Sequence, residues 1–257
     1  MIKVRRLDEP AVLLRGAGRW TEELCTSRRE YYRALSELDT GLPASEPTYP
    51  RAKKSRYAYR EIKSRLEEMF GAKCAYCESR VPPAVSYQHV EHFRPQSIYP
   101  LLAYEWSNLL LACQPCNSAY KRQQFPLMDG SQPEEDRGDP CSRSDDDDRA
   151  LVDPCRDEPT DFFAFDGATL VCLNWRAEQT RDVCGLDREG LNEERRWWLT
   201  VAVDTAAKAY QVAEDNELAA EKREFGQRLR QLLGAGMPYV AMTRARLDAM
   251  GIDPDTL

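Results

Sequence analysis

Histidine is scarce in this chain: two occur among 257 residues, and both lie in the segment QHVEHFRP at 88–95. Long apolar runs are missing as well, so no stretch is predicted to span a bilayer. The apolar run at 11–14 is too short for the core of a secretory signal. These absences predict a soluble, cytoplasmic protein with no membrane partner.

An excess of positive charge is also absent. The chain has 36 Lys and Arg against 43 Asp and Glu, which gives a formal net charge of −7. This balance excludes a protein that coats nucleic acid or an anionic membrane by bulk charge alone. Any contact with nucleic acid must therefore come from a local basic patch.

One such patch precedes the histidines. Between 51 and 65 there are seven basic residues and a single acidic residue, Glu61, and Tyr57 and Tyr59 lie among them. The pattern alone slightly favours a solvated helix face, and its position just upstream of the histidines raises the alternative of a track for phosphate groups. The candidate nucleic-acid contacts within the patch are Lys53, Lys54 and Arg56.

Apolar periodicity predicts helices on both sides of the histidine segment. One helix is expected over 21–38 and a second over 54–69, which Gly71 ends. Two apolar runs around an Asp-Gly pair predict a β-hairpin over 161–173. From Leu191 onward the pattern indicates long amphipathic helices.

The segment 129–149 is rich in acidic residues, Ser, Gly and Pro and has few apolar side chains. It cannot bury enough surface to offset its chain entropy, so it is predicted to be a mobile insertion. Its four consecutive aspartates at 145–148 are expected to form a solvated run rather than a cation site. The same charge suits a nucleic-acid mimic that competes for the basic patch.

Length and pattern together predict an α+β fold with helical flanks. A chain of 257 residues exceeds the usual size of one domain. We divide it into an N-terminal helical region with the basic segment (1–70), a core (71–128), the acidic mobile insertion (129–150), and a hairpin plus helical C-terminal region (151–257).

The nine cysteines, an odd number, indicate metal ligands and scattered thiols rather than a disulfide framework. Four of them form two Cys-x-x-Cys pairs, CAYC at 74–77 and CQPC at 113–116. The other five have no ligand spacing and are predicted to be buried or inert thiols: Cys25, Cys141, Cys155, Cys172 and Cys184.

Two sets of zinc ligands compete for the first pair. Structural zinc takes four ligands in a tetrahedron, which the two pairs supply without histidine: Cys74, Cys77, Cys113 and Cys116. A finger that used His89 and His92 would have two residues between its histidines, where about three to five are usual, and would leave CQPC unexplained. The four-cysteine site is favoured, and it leaves both histidines for other work.

The order of residues over 74–125 resembles the cysteine-bearing branch of the HNH, or ββα-metal, nuclease family. Through CAYC, VEHFRP and NLLLACQPCN the chain has a cysteine pair, an acid-His dipeptide, Asn, a second cysteine pair, Asn and a basic residue. The resemblance implies a ββα-metal core braced by a zinc knuckle. It also implies an endonuclease that hydrolyses phosphodiester bonds of nucleic acid.

The HNH resemblance implies a role for each matching residue. His92 is the general base, Asn108 orients its loop, and Glu91 and Asn117 bind the catalytic ion. Many family members have Asp at the position of Glu91, and the longer side chain is expected to shift the ion. Hard oxygen ligands suit magnesium or manganese, whereas thiolates suit zinc. His89 is either a third ligand of the catalytic ion or an ordinary hydrogen-bonding histidine.

Strand geometry limits how the acid-His dipeptide can act. Neighbouring residues of a strand point to opposite faces, so Glu91 and His92 reach one phosphate only if the strand twists or ends there. Pro95 favours an end, because proline cannot continue a ladder. The candidate phosphate contacts beside the motif are Arg94, Lys121 and Arg122.

A weaker resemblance extends over nearly the whole chain. The segments VEHFRPQS, LVDPCRDEP and CGLDREGLNEER are similar to those of PtuB-like HNH proteins of Septu-type and retron-linked antiphage systems. This similarity implies a nuclease effector of antiviral defence with an ABC-type ATPase partner. The motifs also allow another class of function, a non-catalytic zinc-ribbon adaptor that binds a protein partner or nucleic acid without cleaving it.

Overall fold

The computed structural model describes residues 1–39, 47–81, 89–143 and 148–257. Within these ranges the chain folds into eight α-helices and two antiparallel two-stranded sheets, which confirms the predicted α+β class. The helices are α1 (Ala11–Asp39), α2 (Lys54–Tyr57), α3 (Arg60–Phe70), α4 (Trp175–Cys184), α5 (Glu189–Trp197), α6 (Asp204–Asp215), α7 (Ala219–Leu232) and α8 (Val240–Ala249).

The first helix begins ten residues before the predicted start. Pro10 immediately precedes α1, and its carbonyl accepts hydrogen bonds from the N–H groups of Leu13 and Leu14. Leu13, Ala17 and Leu24 are buried, so the apolar face extends into the first turns. The prediction of a helix from 21 was wrong because it missed this earlier part of the same face.

The second predicted helix is divided into two. α2 ends at Tyr57 and α3 begins at Arg60, with an extended residue, Tyr59, before it. α3 buries Ile62, Leu66 and Phe70 and ends at Gly71 in a left-handed conformation (φ 60°), as predicted. A Cβ at Gly71 would lie 2.5 Å from the carbonyl oxygen of Ala235, so the close approach of these loops requires glycine.

The core contains a ββα unit. β1 (His89–His92) pairs with β2 (Leu109–Ala112) so that His92 lies opposite Leu109. A π-helix, Pro115–Lys121, follows β2. All four residues of β2 are buried, and the strand lies between the first cysteine turn and the histidines. π-Helices such as the one at Pro115–Lys121 are rare and are frequently found at functional sites.

The C-terminal region has the predicted hairpin and helices. β3 (Phe163–Asp166) pairs with β4 (Thr169–Cys172), and Gly167 takes the left-handed conformation that the tight turn needs (φ 56°). Four further helices follow α4, with a π-helical segment, Trp198–Val203, joining α5 to α6. Within the described ranges, no helix is both long and apolar enough to cross a membrane.

The acidic insertion differs from its prediction. Cys141 forms a disulfide with Cys25 of α1, at a Cα–Cα distance of 5.9 Å. The fully buried Arg28 of α1 pairs with Glu135, whose carboxylate also accepts hydrogen bonds of 2.6 Å from the hydroxyl groups of Tyr32 and Tyr49. The described part of the insertion therefore docks on α1, although it has few apolar side chains.

The disulfide corrects the prediction that Cys25 and Cys141 are inert thiols. The two residues are 116 positions apart, so their pairing left no local spacing signal. Cys155, Cys172 and Cys184 are free thiols, as predicted. Asp145–Asp147 lie outside the described residues, and the division of the chain into four regions stays a prediction.

Candidate active site and metal centre

The two Cys-x-x-Cys pairs meet in one buried cluster. The four sulfur atoms of Cys74, Cys77, Cys113 and Cys116 lie within 4.8 Å of one another. Four thiolates at this separation are the donor set of a structural zinc site. The chemistry of the donors therefore fits zinc, and neither histidine belongs to the cluster, which rules out the finger arrangement among the described residues.

Backbone hydrogen bonds shape the first cysteine turn and attach it to the sheet. The Cys74 N–H donates to Ser79 O at 2.9 Å, and Glu78, in a left-handed conformation (φ 62°), donates back to Cys74 O at 3.0 Å. The Ala75 N–H donates to Leu111 O of β2 at 2.8 Å. The metal centre thus supports the strand pair that carries the histidines.

His92 lies at the end of β1 and is held by a backbone carbonyl. Its Nε2 lies 2.8 Å from Ala103 O, and a carbonyl only accepts, so Nε2 bears the proton and Nδ1 is the basic nitrogen. The ring of Tyr57 packs edge-on against the imidazole, with centroids 4.6 Å apart. Burial lowers the pKa of His92 to about 4, so the imidazole is neutral at neutral pH.

Glu91 lies beside His92 and forms a buried ion pair. Its Oε1 is 2.7 Å from Lys121 Nζ and 3.3 Å from the Tyr76 hydroxyl. Burial raises the pKa of Glu91, while the Lys121 ammonium and the Tyr76 hydroxyl act in the opposite direction. Lys121 Nζ also donates to His92 O at 3.1 Å, so one ammonium group holds both residues of the acid-His dipeptide.

Asn108, directly before β2, is hydrogen-bonded to the segment that follows β1. Its Oδ1 accepts from the Arg94 N–H at 2.8 Å, and its Nδ2 donates to Arg94 O and Leu102 O at 3.0 Å each. Its own carbonyl accepts from the Phe93 N–H at 2.9 Å. These bonds end β1 directly after His92, in agreement with the strand end that the sequence predicts.

Glu91, His92, His89 and Asn117 line one cavity of about 1130 Å³. Besides Arg28, which pairs with Glu135, the wall contains four basic residues: Arg51, Lys54, Lys63 and Arg122. Burial, followed by the charges of Lys54 and Lys63, lowers the pKa of His89, whose Nδ1 lies 3.4 Å from Ser118 Oγ. The cavity combines a neutral base, the carboxylate of Glu91 and several cations, and Glu134 and Glu135 also line its wall.

The structure corrects two of the predicted nucleic-acid contacts. Lys121 is fully buried on Glu91, and Arg94 is 1% exposed, with its guanidinium over the rings of Tyr99 and Phe125. Neither side chain reaches a phosphate group at the surface. Lys53 and Arg56 line a different cavity, where Arg56 pairs with Glu23, and their contact with nucleic acid stays a prediction.

Several residues that shape the site escaped the sequence-based prediction. Tyr57 covers His92, Tyr76 contacts Glu91, and Arg188 contacts the cysteine cluster. The only sequence signal was the position of Tyr57 within the basic patch and of Tyr76 within CAYC. Arg188 lies far along the chain from both cysteine pairs, and the resemblance of CGLDREGLNEER to PtuB-like proteins did not connect it with the cysteines.

Comparison with known proteins agrees with this geometry. Residues 74–123 match the model of the HNH endonuclease family. Over 228 residues the chain is 30% identical to Septu protein PtuB of Bacillus mycoides (strain KBAB4). The aligned segment covers 82% of this chain and 70% of that relative. The chain belongs to the PtuB family of HNH proteins. A second member, Septu protein PtuB of Bacillus thuringiensis, is 48% identical over 56 residues, or 22% of each chain.

Membership of the PtuB family confirms the predicted HNH nuclease and its whole-chain resemblance. The matched endonuclease domain spans both cysteine pairs, β1, β2 and the π-helix, so this PtuB-family chain is a nuclease. The link to retron systems stays a prediction.

Proposed function

We propose that this chain is the nuclease effector of an antiphage defence system of the Septu type and cleaves phosphodiester bonds in the basic cavity. The observation that carries the proposal is the position of His92 and Glu91: adjacent residues at a strand end, both on the wall of a cavity that also presents four cations. The printed name of the relatives, Septu protein PtuB, supports the defence role.

His92 is the proposed general base. The Ala103 carbonyl fixes the imidazole with Nε2 protonated, so Nδ1 can take the proton from an attacking water. Tyr57 and the low exposure of His92 keep bulk water from protonating the ring. Arg51, Lys54, Lys63 and Arg122 bind the phosphate backbone of the substrate in this proposal.

Glu91 and Asn117 would hold a divalent ion, and His89 is a further candidate ligand. All three line the same cavity, and the carboxylate and amide oxygens suit magnesium or manganese. Such an ion supplies charge neutralisation at the leaving oxygen. Lys121 occupies Glu91 Oε1, so it fixes the direction in which the carboxylate faces the cavity.

The experiment is a cleavage assay on DNA and RNA with magnesium, with manganese and with EDTA. The proposal expects cleavage that needs the divalent ion and is lost in Glu91→Gln, while Glu67→Gln, on the last turn of α3, serves as the control. Cleavage that is unchanged in EDTA would contradict the ion. Cleavage that is unchanged in Glu91→Gln would contradict the assignment of Glu91 as a ligand of that ion.

Zinc is the proposed ion of the four-cysteine cluster. The folded core would depend on it, because metal bound only in the folded state contributes its binding energy to folding. Elemental analysis of the purified chain should give one zinc per chain, and Cys113→Ser should yield an unfolded core. Purified, folded protein without zinc would contradict this assignment.

An ATPase partner is the remaining part of the proposal and rests on the resemblance to Septu proteins. Co-expression with an ABC-type ATPase of a Septu system should give a stable complex and raise cleavage. The rival function, a zinc-ribbon adaptor, predicts binding in that complex without cleavage under any metal. The assay with and without the ATPase therefore separates the two functions.

A further inference from the structure

We propose that Arg188 is a positioning residue of the metal centre, where its guanidinium bridges thiolates of both cysteine pairs. Arg188 Nη1 donates to Cys116 Sγ at 3.4 Å and Nη2 donates to Cys77 Sγ at 3.8 Å. One planar group thus joins sulfur atoms from two turns, of which one precedes the strand pair along the chain and the other follows it. The inference rests on the zinc occupancy proposed above.

The charge of the site explains why a cation belongs there. Four thiolates around one Zn²⁺ carry two net negative charges, and the cluster is buried. A buried charge is costly unless it is paired and hydrogen-bonded. The guanidinium supplies both the opposite charge and directed N–H donors, which a lysine ammonium cannot place on two sulfurs in one plane.

Two further contacts hold Arg188 in this position. Nη1 also donates to Gly185 O at 2.8 Å, and the guanidinium lies over the ring of Tyr120, 5.9 Å from its centroid. Gly185 is left-handed (φ 60°), and a Cβ there would overlap the Tyr120 ring. The turn from α4 to α5 can therefore approach the π-helix only with glycine at this position, and that approach brings Arg188 to the sulfurs.

Arg195 is a fully buried cation near the half-buried Arg188 but makes different contacts. Its Nη1 donates to Leu186 O at 2.8 Å and to Asn192 Oδ1 at 3.2 Å, so it supports the same turn from within. Of these two arginines, Arg188 is the one that hydrogen-bonds to sulfur, and Ser79 Oγ lies 3.3 Å from Cys77 Sγ as a further hydrogen-bond partner. We infer that the C-terminal helices do not merely flank the nuclease core: they supply an outer ligand contact to its zinc.

The experiment measures zinc release from the full chain. Parent, Arg188→Gln, Arg188→Lys and the control Arg196→Gln are mixed with a chromogenic zinc chelator, and the release rate is followed by absorbance. Outer contacts of this kind typically change metal affinity by about 10–100-fold. We expect Arg188→Gln to release zinc at least about tenfold faster, Arg188→Lys to be intermediate, and Arg196→Gln to match the parent, since Arg196 is exposed.

Cobalt substitution separates an effect on sulfur from a general loss of stability. Losing N–H donors to sulfur should shift the sulfur-to-cobalt charge-transfer band of Arg188→Lys and Arg188→Gln to longer wavelength. If the role of Arg188 were merely structural, its substitution would lower the melting temperature and leave this band in place. If Arg188→Gln does not fold, Arg188→Lys decides the question by the same two readouts.

The outcomes distinguish this inference from the zinc proposal. Parental release rates and an unshifted band in the Arg188 variants would overturn the role of Arg188 while leaving zinc intact. A parent chain that contains no zinc would overturn both.

Discussion

Lys121 Nζ lies 2.7 Å from Glu91 Oε1, and both side chains are buried. The pair links the π-helix to the end of β1, directly beside His92. Removing one partner of a buried pair typically costs about 3–5 kcal/mol, because the other charge stays behind uncompensated. Restoring neutrality at both positions should recover much of that loss.

The first prediction is a double-mutant cycle on this pair. Lys121→Met should destabilise the chain by about 3–5 kcal/mol, and Glu91→Gln combined with Lys121→Met should be clearly more stable than Lys121→Met alone. Chemical denaturation at fixed zinc concentration measures this. Additive effects of the two substitutions would show that the pair is not an energetic unit.

Activity should not follow stability in the same cycle. The double variant lacks the carboxylate that the cavity needs, so it should stay inactive although it is folded. Recovery of cleavage together with stability would show that Glu91 serves only as the partner of Lys121.

The second prediction concerns the pH dependence of cleavage. The base must be unprotonated, and burial lowers the pKa of His92 to about 4 from an ordinary value of 6.5, with Lys121 contributing in the same direction. The rate should therefore stay flat as the pH falls from 7 through 6.5, because His92 takes up a proton only near its lowered pKa. A divalent cation bound at Glu91 would lower the pKa of His92 further, because a nearby positive charge disfavours the protonated imidazole.

Tyr57→Ala provides the matched test of the cause. Without the ring that packs on His92, water reaches the imidazole and the acid limb of the profile should move up toward 6.5. A parental acid limb already near 6.5, or no movement in Tyr57→Ala, would contradict the burial argument.

The third prediction separates two neighbouring lysines. Lys54 lines the active-site cavity and Lys53 does not, although they are adjacent and both exposed. Lys54→Gln should weaken nucleic-acid binding and reduce the slope of log affinity against log salt by about one unit. Lys53→Gln should leave both quantities near the parent, and equal losses in the two variants would argue against the cavity as the binding track.

The fourth prediction concerns the disulfide. Nine cysteines minus the Cys25–Cys141 pair leave seven thiols, so the unfolded, zinc-stripped chain should label seven thiols under non-reducing conditions. A crosslink across 116 residues typically stabilises by about 2–4 kcal/mol. A reductant should lower the melting temperature of the parent and leave that of Cys25→Ser unchanged, whereas nine labelled thiols would contradict the pairing.

The sequence was most informative where the chemistry is local. A Cys-x-x-Cys spacing fixes two sulfurs on one turn, and the acid-His dipeptide ahead of a proline predicts a strand end, so the cluster and β1 were both predictable. The Asp-Gly turn likewise predicted β3 and β4, because its backbone conformation depends on the residues in the turn itself.

Long-range partners were not predictable from the pattern. Arg94 and Lys121 are charged, and charge alone predicts exposure, but Lys121 is buried on Glu91 and Arg94 lies over aromatic rings. The docking of Glu135 on Arg28 and the disulfide depend on a fold that brings distant segments together. Composition described the insertion as mobile because it counts apolar area and misses such specific bonds.

The most direct test of the account is the single-turnover cleavage rate of His92→Ala beside the parent, with zinc content and circular dichroism measured on both. Loss of a general base typically slows catalysis by about 10²–10⁴-fold, so His92→Ala should be slower by at least the lower figure while it keeps its zinc and its fold. A folded His92→Ala that cleaves at the parental rate would contradict the assignment of His92 as the base.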